Sequence, residues 1–215
     1  MLIKPKKSLG QNFLHDENII NKIINASKIS SDDQVLEVGP GTGNLTKLII
    51  SQKPKKIYVI EKDKSLAAKL EKQYYNKINI INEDILKITN EFYSGKKFLI
   101  LGNLPYNIST KILSNWCLNN KLNVSKMILM FQKEVAERIL ANVNSKEYSR
   151  ITILSKWKFD IRKITDVKPN SFFPKPKIYS SVLEFIPKTK IHKIKNPKNL
   201  EKITKVFFSQ RRKMI

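Results

Sequence analysis

The chain has 215 residues at 41% hydrophobic content, enough for one well-cored domain with a small appendage, and no apolar run nears the ~20 residues that cross a bilayer. Its 41 Lys plus Arg against 18 Asp plus Glu leave a formal charge of +23, which points to a polyanionic partner bound in a salt-dependent way. The single cysteine, Cys117, excludes an intramolecular disulfide, and the polar opening MLIKPKKSLGQNF reads as neither a secretory signal nor a transit peptide, so a half-buried thiol in a reducing cytoplasm is expected.

In chain order, DENIINKIINASKI predicts a helix, with Asp16 as its N-cap and Ile19, Ile20, Ile23 and Ile24 on one face. QVLEVGPG predicts a strand ending in glycines, and NLTKLIISQ the helix after it. KKIYVIEKD and SLAAKLEKQYY repeat strand and helix. INIINED and FLILGNLPY are the third and fourth strands, STKILSNWCL a helix and KMILMFQ the fifth strand. Helices at KEVAERILANV and RITILSKW precede two last strands, KFDIRKITDV and YSSVLEFIP. This alternation predicts an α/β fold whose parallel sheet is covered on both faces, because such strands read as continuous apolar runs. The last two strands leave no room for a crossover helix and are expected to form an antiparallel edge.

After Pro187 the strand pattern stops. NLEKITKVFFSQRRKMI predicts a basic amphipathic helix with Leu200, Ile203, Val206 and Phe207 along one side, in need of something to pack on. The division expected is residues 1–187 as one domain and 188–215 as the start of a truncated basic helical region. Lys4, Lys6 and Lys7 crowd the start; Lys188, Lys190, Lys193, Lys195, Lys198, Lys202, Lys205, Arg211, Arg212 and Lys213 crowd the end. A general compositional bias toward Lys does not account for that clustering. Nucleic acid is the expected partner, ahead of an anionic membrane surface.

EVGPGTGNLT links the first strand to its helix. The spacing of Gly39, Gly41 and Gly43 is G-x-G-x-G, with Glu37 inside the strand; it is neither the dinucleotide fingerprint nor a Walker loop. Glu61 ends the second strand 61 − 39 = 22 residues beyond the first glycine, where an acid accepts both hydroxyls of a ribose. Glu83 and Asp84 end the third strand, where a carboxylate accepts an adenine's amino hydrogens. Three successive strand ends thus offer a close backbone approach, a ribose clamp and an adenine reader, with nothing adapted to a pyrophosphate. S-adenosylmethionine fits that set better than NAD.

The fourth strand runs out at Asn103, Leu104, Pro105 and Tyr106, on the same rim. The side-chain oxygen of Asn103 and the carbonyl of Leu104 are placed to accept the two hydrogens of an adenine N6, turning its lone pair toward a methyl donor. Pro105 stiffens the turn, and Tyr106 offers a face to a flipped base. NSFFPKPKIYSS supplies a second aromatic loop. Phe172 is expected to close the other face of the adenine, with Phe173 as packing residue or the two exchanged. His15 and His192 read as surface residues, and no Cys/His cluster has metal-ligand spacing.

KKSLGQNFLHDENIINKI, VLEVGPGTGNLT, GNLPYNIST, FQKEVAERI, FFPKPKIYSSV and FFSQRRKM together resemble the ribosomal RNA adenine N6,N6-dimethyltransferase family over the whole chain. The resemblance implies a Rossmann-like class I S-adenosylmethionine-dependent methyltransferase fold, with a mostly parallel seven-stranded sheet followed by a small helical domain. It implies dimethylation of two adjacent adenines near the 3′ end of 16S ribosomal RNA in a small-subunit precursor; with no surplus apolar face in the sequence, a cytoplasmic monomer that uses no metal and no membrane is expected. Asn12, Leu14, Gly39, Glu61, Asp84 and Asn103 become cofactor-contacting positions, joined by Gly41 of the glycine loop. GQNFL becomes a cofactor lid that includes Gln11. A 23S-directed dimethyltransferase and a non-catalytic assembly factor with the same pocket are the alternatives; SQRRKM and FFPKPK favour the 16S branch.

Overall fold

The computed structural model describes residues 5–192 and 194–209. Nine strands and eight α-helices lie among them. β2 (Gln34–Val38), β3 (Lys56–Ile60), β4 (Asn79–Ile81), β5 (Lys97–Asn103), β6 (Asn123–Gln132), β7 (Phe159–Val167) and β9 (Ser180–Pro187) make one seven-stranded sheet in the order β4-β3-β2-β5-β6-β9-β7. The first five run parallel to one another; β9 is antiparallel to both β6 and β7. The antiparallel edge expected from the short connection is therefore present, with β9 inserted between β6 and β7.

The continuous apolar runs have a simple cause. Successive side chains of a strand point to opposite faces, and both faces here are covered. Leu36, Phe98, Ile100, Met127 and Leu129 face one layer of buried side chains, with Ile112, Leu113 and Trp116 of α5 (Ser109–Leu118), Ile139 of α6 (Lys133–Leu140) and Leu154 of α7 (Arg150–Lys158). Their neighbours Val35, Leu99, Leu101, Ile128 and Met130 face the other, with Ile19, Ile20, Ile23 and Ile24 of α1 (Glu17–Ser27) and Leu45 and Ile49 of α2 (Asn44–Ser51). Asp16 caps α1 as its position predicts, accepting from the backbone N–H groups of Asn18 and Ile19. Cys117 is fully buried rather than half-buried, and burial pushes its thiol up to about 12.

The chain leaves β2 for β3 and β4 on one side, then returns to place β5 on the other side of β2. This reversal opens a crevice beyond the carboxyl ends of β2 and β5. At the far edge, β7 carries Asp160, Arg162 and Lys163, charges that discourage pairing with a further strand.

Three features depart from the sequence reading. β1 (Phe13–Leu14) and β8 (Phe172–Phe173) form a small antiparallel ribbon, Phe13 opposite Phe173 and Leu14 opposite Phe172. A short helix, α4 (Asn90–Tyr93), precedes β5; α3 (Lys64–Gln73) lies where expected. The last helix, α8 (Pro197–Ser209), lies against α7 and α5 on a different face from the predicted apolar one. Pro197 and Thr204 are buried and Leu200 half-buried, whereas Ile203, Val206 and Phe207 are 55%, 68% and 58% exposed. An ion pair from Arg150 of α7 to Glu201, at 2.6 Å, and the Thr204 hydroxyl donating to the Leu200 carbonyl allow that polar face to sit inward. Arg211, Arg212, Lys213, Lys4 and Lys193 lie outside the described residues.

One buried charge cluster ties the edge strands together. Glu184 of β9 is fully buried between Lys126 of β6 (Nζ–Oε1 3.1 Å) and Arg162 of β7, and Lys126 also donates to the Ala26 carbonyl at the end of α1. Burial alone would raise the Glu184 carboxyl; Arg162 and Lys126 outweigh it and hold it below its ordinary value. Removing one partner of a buried pair is costly because the other keeps its desolvation penalty. Lys126→Met is therefore expected to lower unfolding free energy at pH 7 by about 2–4 kcal/mol in urea titrations. A carboxyl with a depressed folded pKa loses its stabilising contribution as pH falls through that pKa. The gap between wild type and variant should therefore narrow in acid, and a gap constant from pH 7 to pH 3 would contradict this assignment.

Candidate active site

The crevice at the strand-order reversal is a hollow of about 1170 Å³, its open mouth included. Gln11, Asn12, Leu14, Gly39, Gly41, Glu61, Asp84, Asn103, Leu104, Pro105 and Tyr106 all line it. The structure does not bring Phe172 there. It is 3% exposed and packs in the core layer with Ile20, Ile23 and Leu14, while Phe173 is 60% exposed. Alternation along the two-residue β8 turns one ring inward and the other out. The expected Phe172–Tyr106 sandwich is corrected accordingly: Phe172 is the packing residue, and Phe173 does not line the hollow either.

Gly41 shows why glycines occupy the first loop. Its φ is +59°, and a Cβ there would lie 2.7 Å from the Phe13 ring. The bare backbone lets the ribbon residue Phe13 close down on the loop. Gly39 donates from its backbone N–H to the Ile60 carbonyl, which places the loop beside the end of β3.

Glu61 stands at that end, buried, with both carboxylate oxygens held: Oε1 accepts from the Asp63 backbone N–H (2.8 Å) and Oε2 from that of Gly41 (3.3 Å). Burial raises its carboxyl, and these two N–H groups oppose the rise. Each oxygen keeps a lone pair for a ligand hydroxyl. Asp63 caps α3, accepting from the Ser65 backbone N–H and hydroxyl, and also accepts from Gln11 (Nε2–Oδ2 3.1 Å) and Lys6 (Nζ–Oδ2 2.9 Å). Burial opposes ionisation of Asp63, but these donors hold its carboxyl well below the usual range. This strap from the N-terminal segment to Asp63 is absent from the sequence reading. The only local clue is D-x-S at the head of the predicted helix, which signals a cap and not a tether.

Asp84, after β4, accepts from the Leu86 backbone N–H with Oδ1 (2.9 Å) and from Lys62 with Oδ2 (3.0 Å). These donors outweigh burial and keep it ionised below its ordinary value. Its neighbour Glu83 is exposed, with its carboxylate on the Asp84 backbone N–H, so the half-buried Asp84 is the more enclosed member of the pair.

The Asn103 amide is fixed from the lid. Its Nδ2 donates to the Asn12 carbonyl at 2.8 Å. A carbonyl only accepts, so the atom facing it is the nitrogen and the Oδ1 is turned the other way. The lid is itself held: Asn44 donates to the Leu14 carbonyl (2.8 Å), and the Ser171 hydroxyl donates to Asp16 (2.7 Å). Beyond Asn103, the Pro105 carbonyl accepts from the Ile108 N–H, and the Tyr106 carbonyl accepts from the Ser109 hydroxyl. The Tyr106 hydroxyl lies 2.6 Å from that of Ser180 on β9. Burial raises the Tyr106 phenol, with the Ser180 bond opposing, so it stays neutral and is no general base at neutral pH. Among the described residues no group of three or more His, Cys, Asp and Glu is placed to hold a metal ion, and no helix is long and apolar enough to cross a membrane.

Glu37 lies beneath the hollow. It is buried, with Thr46 donating to its Oε2 at 2.7 Å. Burial, opposed by Thr46 and assisted by the charge of Glu61, pushes its carboxyl from 4.5 up to about 8. The folded protein therefore keeps this proton where the unfolded chain has lost it. The contribution to stability is complete below the unfolded value and declines as pH rises toward the folded one, by about 1.4 kcal/mol per pH unit. Glu37→Gln should flatten this decline. In urea titrations at pH 6 and pH 8 the wild type should weaken more than the variant; parallel losses would contradict a proton held on Glu37.

The family model described as ribosomal RNA adenine dimethylase matches residues 3–215. The ribosomal RNA small subunit methyltransferase A of Pelagibacter ubique (strain HTCC1062) is 54% identical over 217 residues, covering 100% of this chain and 82% of that protein. The protein of the same name from Wolbachia pipientis subsp. Culex pipiens is 42% identical over 217 residues, with 100% and 82% covered. Among solved structures, a dimethyladenosine transferase from Plasmodium falciparum superposes with a TM-score of 0.78 at 32% identity, covering 94% of this chain and 73% of that one. The 23S rRNA methyltransferase ErmE superposes at 0.73 with 24% identity, over 93% and 80%, a likeness of fold. With a family match along nearly its whole length, a relative sharing more than half its residues and a site built at the strand-order reversal, the chain belongs to the ribosomal RNA adenine dimethylase family.

Proposed function

We propose that this protein transfers two methyl groups to N6 of each of two adjacent adenines near the 3′ end of 16S ribosomal RNA, with S-adenosylmethionine as donor. The observation that carries the reading is the Asn103 amide, whose nitrogen is committed to the Asn12 carbonyl. That leaves its oxygen as an acceptor at the rim where the donor binds. When bound, S-adenosylmethionine supplies the methyl group on a sulfonium that leaves as neutral sulfur.

The chain's own residues do the rest. Glu61 accepts the ribose hydroxyls with an already oriented carboxylate. Asp84, kept ionised by Lys62 and the Leu86 N–H, would accept from the adenine amine of the donor. The loop at Gly39 and Gly41 lets the backbone approach, and Leu14, Gln11 and Asn12 cover the site from the lid. At the target base, Asn103 Oδ1 and the Leu104 carbonyl accept the two N6 hydrogens, Pro105 holds the turn, and Tyr106 stacks on the ring. Each transfer forms an N–C bond from the N6 lone pair and breaks the methyl–sulfur bond, whose electron pair stays on sulfur; one N6 proton goes to water. Orientation and electrostatics carry such a displacement, with no strong base required.

In this reading residues 1–187 are the catalytic unit, and the basic segment 188–215 contributes to RNA binding. The protein acts as a cytoplasmic monomer on a small-subunit precursor.

The test is transfer of labelled methyl groups to small ribosomal subunits from cells lacking this modification. Wild-type protein should make N6,N6-dimethyladenosine. Asn103→Ala should lower the rate by about 100-fold or more, as removal of a preorganised acceptor does, while still sedimenting with the particle. Tight binding without label, indifferent to Asn103→Ala, would establish an assembly factor instead; label on the large subunit would establish the 23S reading. Independently, Glu61→Gln should weaken S-adenosylmethionine binding by about 10- to 100-fold in equilibrium dialysis, the value of hydrogen bonds to a charged acceptor. Unchanged affinity would remove Glu61 from the donor site.

A further inference from the structure

We propose that Ser180 is a positioning residue that sets the pitch of the Tyr106 ring, and that this bond matters more for the second methyl transfer than for the first. The inference rests on the dimethyltransferase reading above and deepens it.

Ser180 is the first residue of β9, at the far side of β6 from the strand that carries Asn103. It is fully buried, and its hydroxyl lies 2.6 Å from that of Tyr106, 74 residues away in sequence. The Tyr106 backbone is pinned separately, its carbonyl accepting from Ser109 at 3.2 Å. A tyrosine tied at its backbone carbonyl by α5 and at its hydroxyl by β9 has little freedom to swing its ring. Ser180 is in turn held by the sheet on both sides, opposite Gln132 of β6 and Val167 of β7. Its neighbour Ser181 donates to Asp166 at 2.6 Å. The tie therefore runs from Tyr106 into a strand that is paired on both sides and not into a loop.

The asymmetry between the two transfers follows from hydrogen counting. An unmodified adenine N6 carries two hydrogens, one each for Asn103 Oδ1 and the Leu104 carbonyl. N6-methyladenine carries one. Its plane is then fixed by a single hydrogen bond and by stacking, and stacking depends on the pitch of Tyr106. Loosening the ring costs little while two hydrogen bonds hold the base, and more when one does. In both transfers the N6 lone pair forms the N–C bond, the methyl–sulfur pair stays on sulfur, and the remaining hydrogen count falls by one.

The experiment follows monomethyl and dimethyl products over time on undermethylated small subunits, for wild type, Ser180→Ala, Tyr106→Phe and the double variant. Tyr106→Phe keeps the ring and removes the other half of the bond. Ser180→Ala should slow the second transfer by about tenfold, the value of one hydrogen bond, and the first by less, so that N6-methyladenosine accumulates. Tyr106→Phe should reproduce the pattern, and the double variant should be no worse than either single one. S-adenosylmethionine affinity should stay within about threefold, as a bond that acts on the base and not on the donor requires. Equal slowing of both transfers, losses that multiply in the double variant, or a matching loss of donor affinity would each overturn the proposal. Wild-type protein that makes no dimethyladenosine would overturn the parent reading and this inference with it, an outcome distinct from the others.

Discussion

One hydrogen bond, from the Asn103 amide to the Asn12 carbonyl, decides what this site presents to a ligand. An asparagine at the end of a strand is symmetrical enough to point either its nitrogen or its oxygen into a cleft. The backbone carbonyl of a segment 91 residues earlier in sequence removes that choice. The segment is held in place by contacts that have nothing to do with the amide: Gln11 and Lys6 on Asp63, the Leu14 carbonyl on Asn44, and the β1–β8 ribbon. The N-terminal segment therefore lines the hollow and also fixes which way the Asn103 amide is turned. Loss of the lid contact would free the amide to rotate and would cost orientation before it cost affinity.

The second constraint is electrostatic. A protein of formal charge +23 places three of the four buried acids among its described residues around the site: Glu37, Glu61 and Asp63. They are kept in different states by different means. Glu37, with one hydroxyl partner, is pushed toward its neutral form by burial. Glu61 is raised by the same desolvation but restrained by two backbone N–H groups. Asp63, with four donors, is held firmly ionised. Three carboxyls of similar intrinsic strength thus end in different states: a packed polar group, an acid oriented at the rim of the hollow, and an anchor for the N-terminal segment. Hydrogen-bond supply accounts for the difference more than distance between charges does.

The sheet was legible from the sequence because parallel strands buried on both faces leave an unmistakable apolar signature, and because the glycine loop, Glu61 and Asp84 fall at three successive strand ends. The lining of the hollow was legible wherever one residue projects from a strand end. Contacts that need two distant segments were not. Nothing in Phe13-Leu14 or Phe172-Phe173 announces that they pair, so the ribbon and the inward turn of Phe172 were hidden. Asp63 as a tether and Ser180 behind Tyr106 are likewise long-range facts. The last helix misled for a physical reason: an apolar stripe of Ile203, Val206 and Phe207 defines the hydrophobic face, but the Arg150–Glu201 ion pair and the self-satisfied Thr204 let a more polar face lie against the domain.

The most direct measurement is a crystal structure with S-adenosylhomocysteine and an RNA oligonucleotide whose target base is flipped into the site. The Asn103 nitrogen should remain on the Asn12 carbonyl, with the Asn103 oxygen at hydrogen-bonding distance from the base N6. A target base seated elsewhere, or an Asn103 amide rotated to turn its nitrogen toward N6, would contradict the role given to this amide.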